Sequence, residues 1–393
     1  MKTQTTRNVA LGLIGLLALC IYILACTSFS PDDTKILYPA FGDDSGAVGI
    51  AVYDREARRS EMLFLPMAFE DSETNTANPR LVRAQWLPDG RSVLLAWPAG
   101  KGNDDDGLNL ATLPLGASAP LKFFYLPNVK EATMRLMAPL VVTGERVLLC
   151  ESNGHVARLD LKTGTIARHQ LADLKGEVTL YPGLDGRGAF YVAEQSEGPQ
   201  AHIFGRLNPD NFSQTPLVTI TNNLMEGSFF AYSPSGNRVA FVEKAGDLER
   251  VIVLKEGKQT FTRPLGPKTE PLSFGSAVLL DNLVVTSFQR KTNGQPRAAY
   301  GLMEIPLSDA PVRETILIAA TEAHDEADAF YFQMALSHDG KTAAVASTYL
   351  ACAEEAFKPE DCALFLVNLS EPKRSVTKIP IRLPATRSSP AGK

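Results

Sequence analysis

Histidine and cysteine are scarce in this chain of 393 residues, with five of each. His155, His169, His202, His324 and His338 are scattered, and none accompanies a candidate nucleophile. The short catalytic signatures are missing too. No Gly-x-Ser-x-Gly elbow, His-Glu-x-x-His pair or Gly-x-x-x-x-Gly-Lys loop occurs, which excludes the hydrolases, zinc peptidases and phosphate-cradling enzymes that carry them. Gly183, Gly186 and Gly188 fall in the wrong order and context for a dinucleotide turn. Positive charge is also short, since 39 basic residues stand against 44 acidic ones for a net charge of −5. That balance excludes nucleic acid as a partner, because phosphate binding needs a basic surface. It equally argues against the body of the protein adhering to anionic lipid. Scattered carboxylate pairs have no local signature, so glycan cleavage stays open as an alternative.

What the chain does have begins at its first residues. Lys2 and Arg7 precede an uncharged apolar run from Val9 to Ala25 that ends at Cys26. A basic flank, an apolar core and then small or polar residues read as an export signal, at a length where a signal core and a membrane span converge. The close Ile23-Leu24-Ala25-Cys26 resembles the lipobox of bacterial lipoproteins, with Leu24 bulkier than that position usually carries. The resemblance implies that Cys26 takes a diacylglycerol and becomes the new N-terminus; an uncleaved single span is the alternative. Thr27 follows the cysteine, which by the same resemblance implies the outer membrane, facing the periplasm or the exterior. Residues 1–25 are therefore expected to be signal or anchor, and residues 26–34 a tether. Loss of Lys2 and Arg7 on cleavage would make the net charge more negative still.

An oxidising compartment gives the remaining cysteines meaning. Cys352 and Cys362 are close in sequence and are expected to close a loop as a disulfide, worth roughly 3 kcal/mol in the chain-entropy model. A metal site there lacks a third or fourth ligand nearby. Cys150, in Val147-Leu148-Leu149-Cys150, reads as a small buried hydrophobe.

A repeat then runs through the chain. Trp86-Leu-Pro-Asp-Gly-Arg-Ser-Val, Tyr232-Ser-Pro-Ser-Gly-Asn-Arg-Val and Leu336-Ser-His-Asp-Gly-Lys-Thr-Ala each place a polar turn between apolar segments. Weaker copies start at Val142, Leu184 and Leu280. Pro88 and Pro234 pre-set φ at the second turn position, and Gly90, Gly236 and Gly340 take positive φ without steric cost. Two further strands follow each turn, joined by tight turns such as Thr163-Gly164 and Glu256-Gly257. Four antiparallel strands a-b-c-d recurring every 40 to 60 residues or so describe a propeller blade. The fold expected over residues 35–383 is an all-β propeller of seven four-stranded blades, with six or eight as alternatives and residues 384–393 as a tail. The first unit, from Ile36, shows strands b, c and d but no strand a and no obvious closing strand. Stacked sandwiches are the rival, and self-similar recurring turns disfavour them. The repeats resemble the TolB-type propeller, whose blades carry a Ser-Pro-Asp-Gly-like turn; the resemblance specifies a fold and says little of function.

Propeller geometry sorts loops by face. The a–b and c–d turns, short and tightened by glycine or proline, share one face; the b–c and d–a loops share the other. The second set is acidic. It holds Glu70 to Glu73, then Asp104, Asp105 and Asp106, then Glu322, Asp325, Glu326 and Asp328, and the cysteine loop with Glu354, Glu355, Glu360 and Asp361. Such a face focuses field toward a basic partner, or is simply kept solvated by its charge. Asp104 and Asp106 partly match a calcium loop, but Gly102 stands where the preceding ligand belongs and no bidentate Glu follows. No cofactor is implied otherwise, and His324 reads as an exposed loop residue. The expected function is a non-enzymatic envelope lipoprotein whose propeller binds or scaffolds a protein or envelope component. The alternative is a propeller enzyme on extracytoplasmic glycan, using acids at the tunnel mouth.

Overall fold

The computed structural model describes residues 27–42, 48–64, 83–99, 107–117, 120, 122–129, 140–151, 154–171, 174–182, 188–195, 201–221, 229–245, 248–267, 272–291, 298–319, 330–349 and 363–383. They form seven four-stranded antiparallel blades in a propeller ring, and no strand is shared between blades 2 to 7. Blade 2 spans Arg83–Pro127, blade 3 Val141–Gln170, blade 4 Leu174–Ile220, blade 5 Phe230–Pro267, blade 6 Leu272–Ile318 and blade 7 Phe330–Pro380. Each runs a-b-c-d outward from the axis.

Burial follows position in the blade. Strand b of blade 2 carries Val93-Leu94-Leu95-Ala96, all buried, because a strand sandwiched between neighbouring blades must be apolar on both faces. Strand d of blade 3, Ile166–Gln170, is mostly exposed. Six apolar clusters lie between blades rather than within them. They join 1 with 2, 2 with 3, 3 with 4, 4 with 5, 5 with 6, and 6 with 7 and 1, which closes the ring.

The repeated turn has one hydrogen-bond pattern. Leu87, Ser233 and Ser337 N–H groups donate to Ser92, Arg238 and Thr342 carbonyls, each at 2.9 Å. Gly90, Gly236 and Gly340 donate back to the first residue of each turn, with φ of 63°, 71° and 70°. A further copy is present at Phe29-Ser30-Pro31-Asp32-Asp33-Thr34-Lys35-Ile36. Ser30 N–H donates to Lys35 O and Asp33 N–H to Ser30 O, both at 2.9 Å. Asp33 sits at the glycine position with φ 59°. Aspartate tolerates the left-handed region better than most residues, so this copy of the turn carries no glycine.

Blade 1 therefore has an inner strand, where the sequence suggested none. It is a composite of both chain ends. Ser28–Phe29 pairs antiparallel with strand b at Leu37 and Ile36. Arg382–Leu383 pairs parallel with the other end of the same strand, at Phe41 and Gly42. Together they cover the edge that would otherwise expose unpaired backbone groups. Residues 28–34, expected to act as a tether, are strand and turn of the ring.

Every seam is also stapled by a polar side chain. Trp86 Nε1 donates to Ser28 O (3.1 Å) between blades 1 and 2, and Lys122 to Leu161 O (2.8 Å) between 2 and 3. Arg158 donates to Pro209 O (2.9 Å) at 3/4 and Arg206 to Ser235 O (3.1 Å) at 4/5. Arg238 reaches Asp281 (2.6 Å to its carbonyl) at 5/6, Arg374 pairs with Glu304 at 6/7, and Arg55 donates to Thr342 (3.1 Å) at 7/1. Four of these seven staples end on a carbonyl of an a–b or c–d turn, those of Leu161, Pro209, Ser235 and Asp281, so the short-turn face is held largely by its own cations.

Candidate functional site: the central channel

The inner strands of all seven blades enclose an axial channel with a cavity of about 520 Å³. That size suits a small ligand, since such sites run from about 300 to 1,000 Å³. Its lining is sided. Blades 1 and 2 contribute Thr27, Ser28, Arg83 and Gln85. Arg83 and Gln85 point the same way because alternate residues of a strand share a face; the intervening Ala84 and the following Trp86 pack in the blade 1/2 cluster. Blades 4 and 5 contribute Tyr181, Phe229, Phe230 and Tyr232. The Tyr181 ring lies 5.7 Å from Phe230 and 5.4 Å from Tyr232, centroid to centroid. Tyr232 donates its hydroxyl to Pro182 O at 2.6 Å, which fixes blade 5 against blade 4.

The electrostatics of the channel are simple. Arg83 is its one charged side chain among the described residues. Burial pushes the Tyr181 phenol up to about 12 and raises that of Tyr232 further, so both stay neutral hydroxyls. Ser28 Oγ and Gln85 Oε1 are buried and make no hydrogen bond within the protein.

A second depression, about 380 Å³, lies over the seam of blades 5 and 6 between Ser235, Arg238, Lys255 and Asp281. Its arginine is committed to Asp281 and to the Leu280 and Asp281 carbonyls. That depression is a stapled seam rather than a receptive site.

The residues singled out from sequence lie elsewhere. Cys26, Cys352, Cys362, Asp104, Asp105, Asp106, Glu322, His324, Asp325, Glu326 and Asp328 all fall outside the described residues, as do Glu70 to Glu73. Among the described residues, no group of three or more His, Cys, Asp or Glu could hold a metal. No carboxylate lines the described channel, and the shifted aspartates, Asp32, Asp54, Asp160 and Asp339, are all lowered by hydrogen bonds rather than raised. The paired acids that a glycan-cleaving tunnel mouth requires are not among the described lining residues. Cys150 is fully buried in the blade 3/4 cluster. His155 and His202 begin strand c of neighbouring blades. Sequence reasoning missed Ser28, Arg83, Gln85 and Tyr181. Only the ring brings them together, although the Arg83-Gln85 alternation beside the Trp86 turn was a readable clue to two polar residues on one strand face.

The rim carries a different feature. Phe123 and Tyr125, on strand d of blade 2, are 60% and 54% exposed. The Tyr125 ring lies over Gly107 of strand c, where any Cβ would come within 2.6 Å of it. Among the described residues, strand d pairs with strand c alone.

The class this defines is a seven-bladed β-propeller with a ligand-sized axial channel. No family pattern and no curated protein matches the sequence. Among solved structures, one from an analysis of two prolyl endopeptidases shares 14% identity across 96% of this chain, with a TM-score of 0.56. This chain spans 55% of that endopeptidase, and the likeness is one of fold. A chain of Kuenenia stuttgartiensis hydrazine synthase is 11% identical over 73% of this chain and 76% of its own, TM-score 0.49. A chain of the mitotic checkpoint complex is 13% identical over 84% and 88%, TM-score 0.49.

Proposed function

We propose that this protein is a non-enzymatic binding or scaffolding module of the bacterial cell envelope, a TolB-like propeller held at the membrane by its N-terminal segment. The observation that carries the reading is the exposed aromatic pair Phe123 and Tyr125 on an outer strand whose outward edge has no partner strand among the described residues. Large aromatics are the commonest anchors of protein interfaces, and an open strand edge accepts an extended segment of a partner through main-chain hydrogen bonds. Aromatics exposed on a rim are what a binding propeller should present.

In this reading Cys26 is acylated and lodges the protein in the outer membrane. Cys352 and Cys362 form a bridge, and the acidic residues 104–106 and 322–328 give the long-loop face its negative field. Cys26→Ser should abolish acylation, as read by lipid labelling; a protein still acylated and processed would remove the anchor. Non-reducing mass spectrometry should find the Cys352 and Cys362 peptides linked.

Partner binding is tested by affinity capture from detergent-solubilised envelopes with three baits. These are the natural chain, a Phe123→Ser/Tyr125→Ser variant, and a variant with the acids of 104–106 and 322–328 neutralised. Loss of one specific partner with the rim variant supports the aromatic site, and loss with the neutralised variant moves binding to the long loops. An identical recovered set from all three baits would overturn the proposal.

A further inference from the structure

We propose that the axial channel is occupied by the N-terminal end of this same chain, which enters it at Cys26 and leaves the ring through the mouth on the long-loop face. The register at the inner edge of blade 1 carries the inference. Phe29 and Ser28 pair with Ile36 and Leu37, so the chain, followed back toward its start, runs along strand b toward the long loops. Continued unchanged, that register would set residues 24 and 23 opposite Phe41 and Gly42. Those two places are already filled by Arg382 and Leu383, paired in parallel with the same strand. One strand edge holds one partner, so the N-terminal segment has to leave the sheet between Thr27 and residue 24.

The other ways off that edge are shut. Blade 1 is packed on both faces, with Leu37 and Val52 in the cluster shared with blade 2 and Ile36, Tyr38 and Ala40 in the cluster shared with blades 6 and 7. Outward lie strands b, c and d of the blade itself. The way left is inward. Thr27 already lines the channel, and the Cα of Cys26 is one peptide unit, about 3.8 Å, from its own. By the same register Cys26 is level with Pro39, so the end of strand b at Gly42 is about 10 Å further on, the reach of roughly three extended residues.

The lining suits that occupant. Ile23, Leu24 and Ala25 are apolar, and no charged residue occurs from Val9 to Cys26. Around the axis stand Tyr181, Phe229, Phe230 and Tyr232, with Leu140 and Met334. Apolar surface laid against such a wall is removed from water, which is favourable. Acyl chains on Cys26 would gain in the same way. The path rests on covalent continuity and strand register; only its lipid part rests on the acylation read above. An N-terminal end seated there takes the channel out of use for other ligands and leaves the rim, with Phe123 and Tyr125, as the surface for a partner.

Hydroxyl-radical footprinting by mass spectrometry tests this on the full chain and on a chain beginning at Thr27, both in the same detergent. Tyr181 and Phe230 should be oxidised severalfold faster in the shortened chain, while Phe123 and Tyr125 react alike in both. Tyr38 and Phe241, fully buried, stay unmodified where the ring is shut and so report folding. As a second readout, p-benzoylphenylalanine in place of Phe230 in the full chain should cross-link on irradiation to Cys26, to its lipid or to residues 21–25. The same amino acid in place of Phe123 should not. The mass of the cross-linked fragment shows whether Cys26 is acylated, so a failed anchor reading and a failed channel path are separate results. Equal oxidation of Tyr181 and Phe230 in the two folded chains overturns the inference. So does a position-230 probe that reaches neither Cys26 nor anything before it, and either readout decides alone if the other variant does not fold.

Discussion

Blades 6 and 7 follow one another along the chain, whereas blades 7 and 1 come from its opposite ends and are linked where Arg382–Leu383 enters the sheet of blade 1, and the two seams are fastened differently. At 6/7, Arg374 grips Glu304 through two hydrogen bonds of 2.8 and 2.5 Å, with side chains only 12% and 4% exposed. At 7/1, the His338 N–H donates to both Asp33 carboxylate oxygens, at 3.0 and 2.9 Å, and the imidazole Nδ1 lies 2.7 Å from Oδ1. Arg55 adds bonds to Asp33 O (2.7 Å) and Thr342 Oγ1 (3.1 Å). The position of His338 is the one filled by Pro31, Pro88 and Pro234 in the other good copies, and proline has no N–H to donate. One seam concentrates its polar fastening in a single desolvated pair. The closing seam spreads it over half-exposed contacts and adds strands from both chain ends. A closure between distant parts of the chain is served here by several small contacts rather than by one desolvated pair.

The sharpest way to break that contrast is to end the chain after Pro380. This removes the pairing at Phe41 and Gly42 and the buried Ile381 and Leu383. A loss of about 4 kcal/mol or more is expected, since each buried aliphatic side chain is worth about 1.5–3 kcal/mol; denaturant unfolding measures it. Next in size, Arg374→Met leaves Glu304 buried without its partner and should cost about 3 kcal/mol, much of which Glu304→Leu in the same chain restores. If the single and double variants melt together, the pair at 6/7 is not desolvated as described.

Smaller effects test the turns. Gly236→Ala forces a Cβ to within 2.3 Å of the Phe190 ring at φ 71°, whereas at Gly90 the nearest neighbour, Pro31, is 3.6 Å away. Both pay the left-handed cost of about 1–2 kcal/mol, so Gly236→Ala should lower the melting temperature clearly more than Gly90→Ala. His338→Pro fits the turn but deletes the closing N–H bond, for an expected loss of about 1 kcal/mol. The smallest effect is acid-dependent. The Ser30 hydroxyl, ahead of the other contacts, holds the Asp32 carboxyl at about 2, below its ordinary 3.8. Its stabilisation is complete above that ordinary value and is lost as the pH falls toward 2. Asp32→Asn should therefore flatten the acid limb of stability in that window, and an unchanged slope would show that the turn does not depend on the ionised form.

The blades were legible because their signals are local. Pro88, Pro234 and the glycines at 90, 236 and 340 act within four residues, so the turns and their spacing could be read directly, and with them the all-β propeller. The inner strand of blade 1 was not legible. Its turn replaces glycine with Asp33, and Ser28–Phe29 is too short to announce a strand. The candidate site was hardly visible at all. Loop charge drew attention to residues 104–106 and 322–328, which lie outside the described residues, while the sided channel arises from single residues of different blades.

By itself, the sequence determined the repeating hairpin chemistry and the apolar strands of an all-β propeller, leaving six, seven or eight units open, because φ preferences and side-chain period act over neighbouring residues. Only the tertiary structure decided how the ring shuts, with Asp33 and His338 meeting across 305 positions. It also decided that Ser28 and Gln85 look onto one cavity opposite Tyr181. Those facts depend on which surfaces the closed ring brings face to face, and no local preference encodes that.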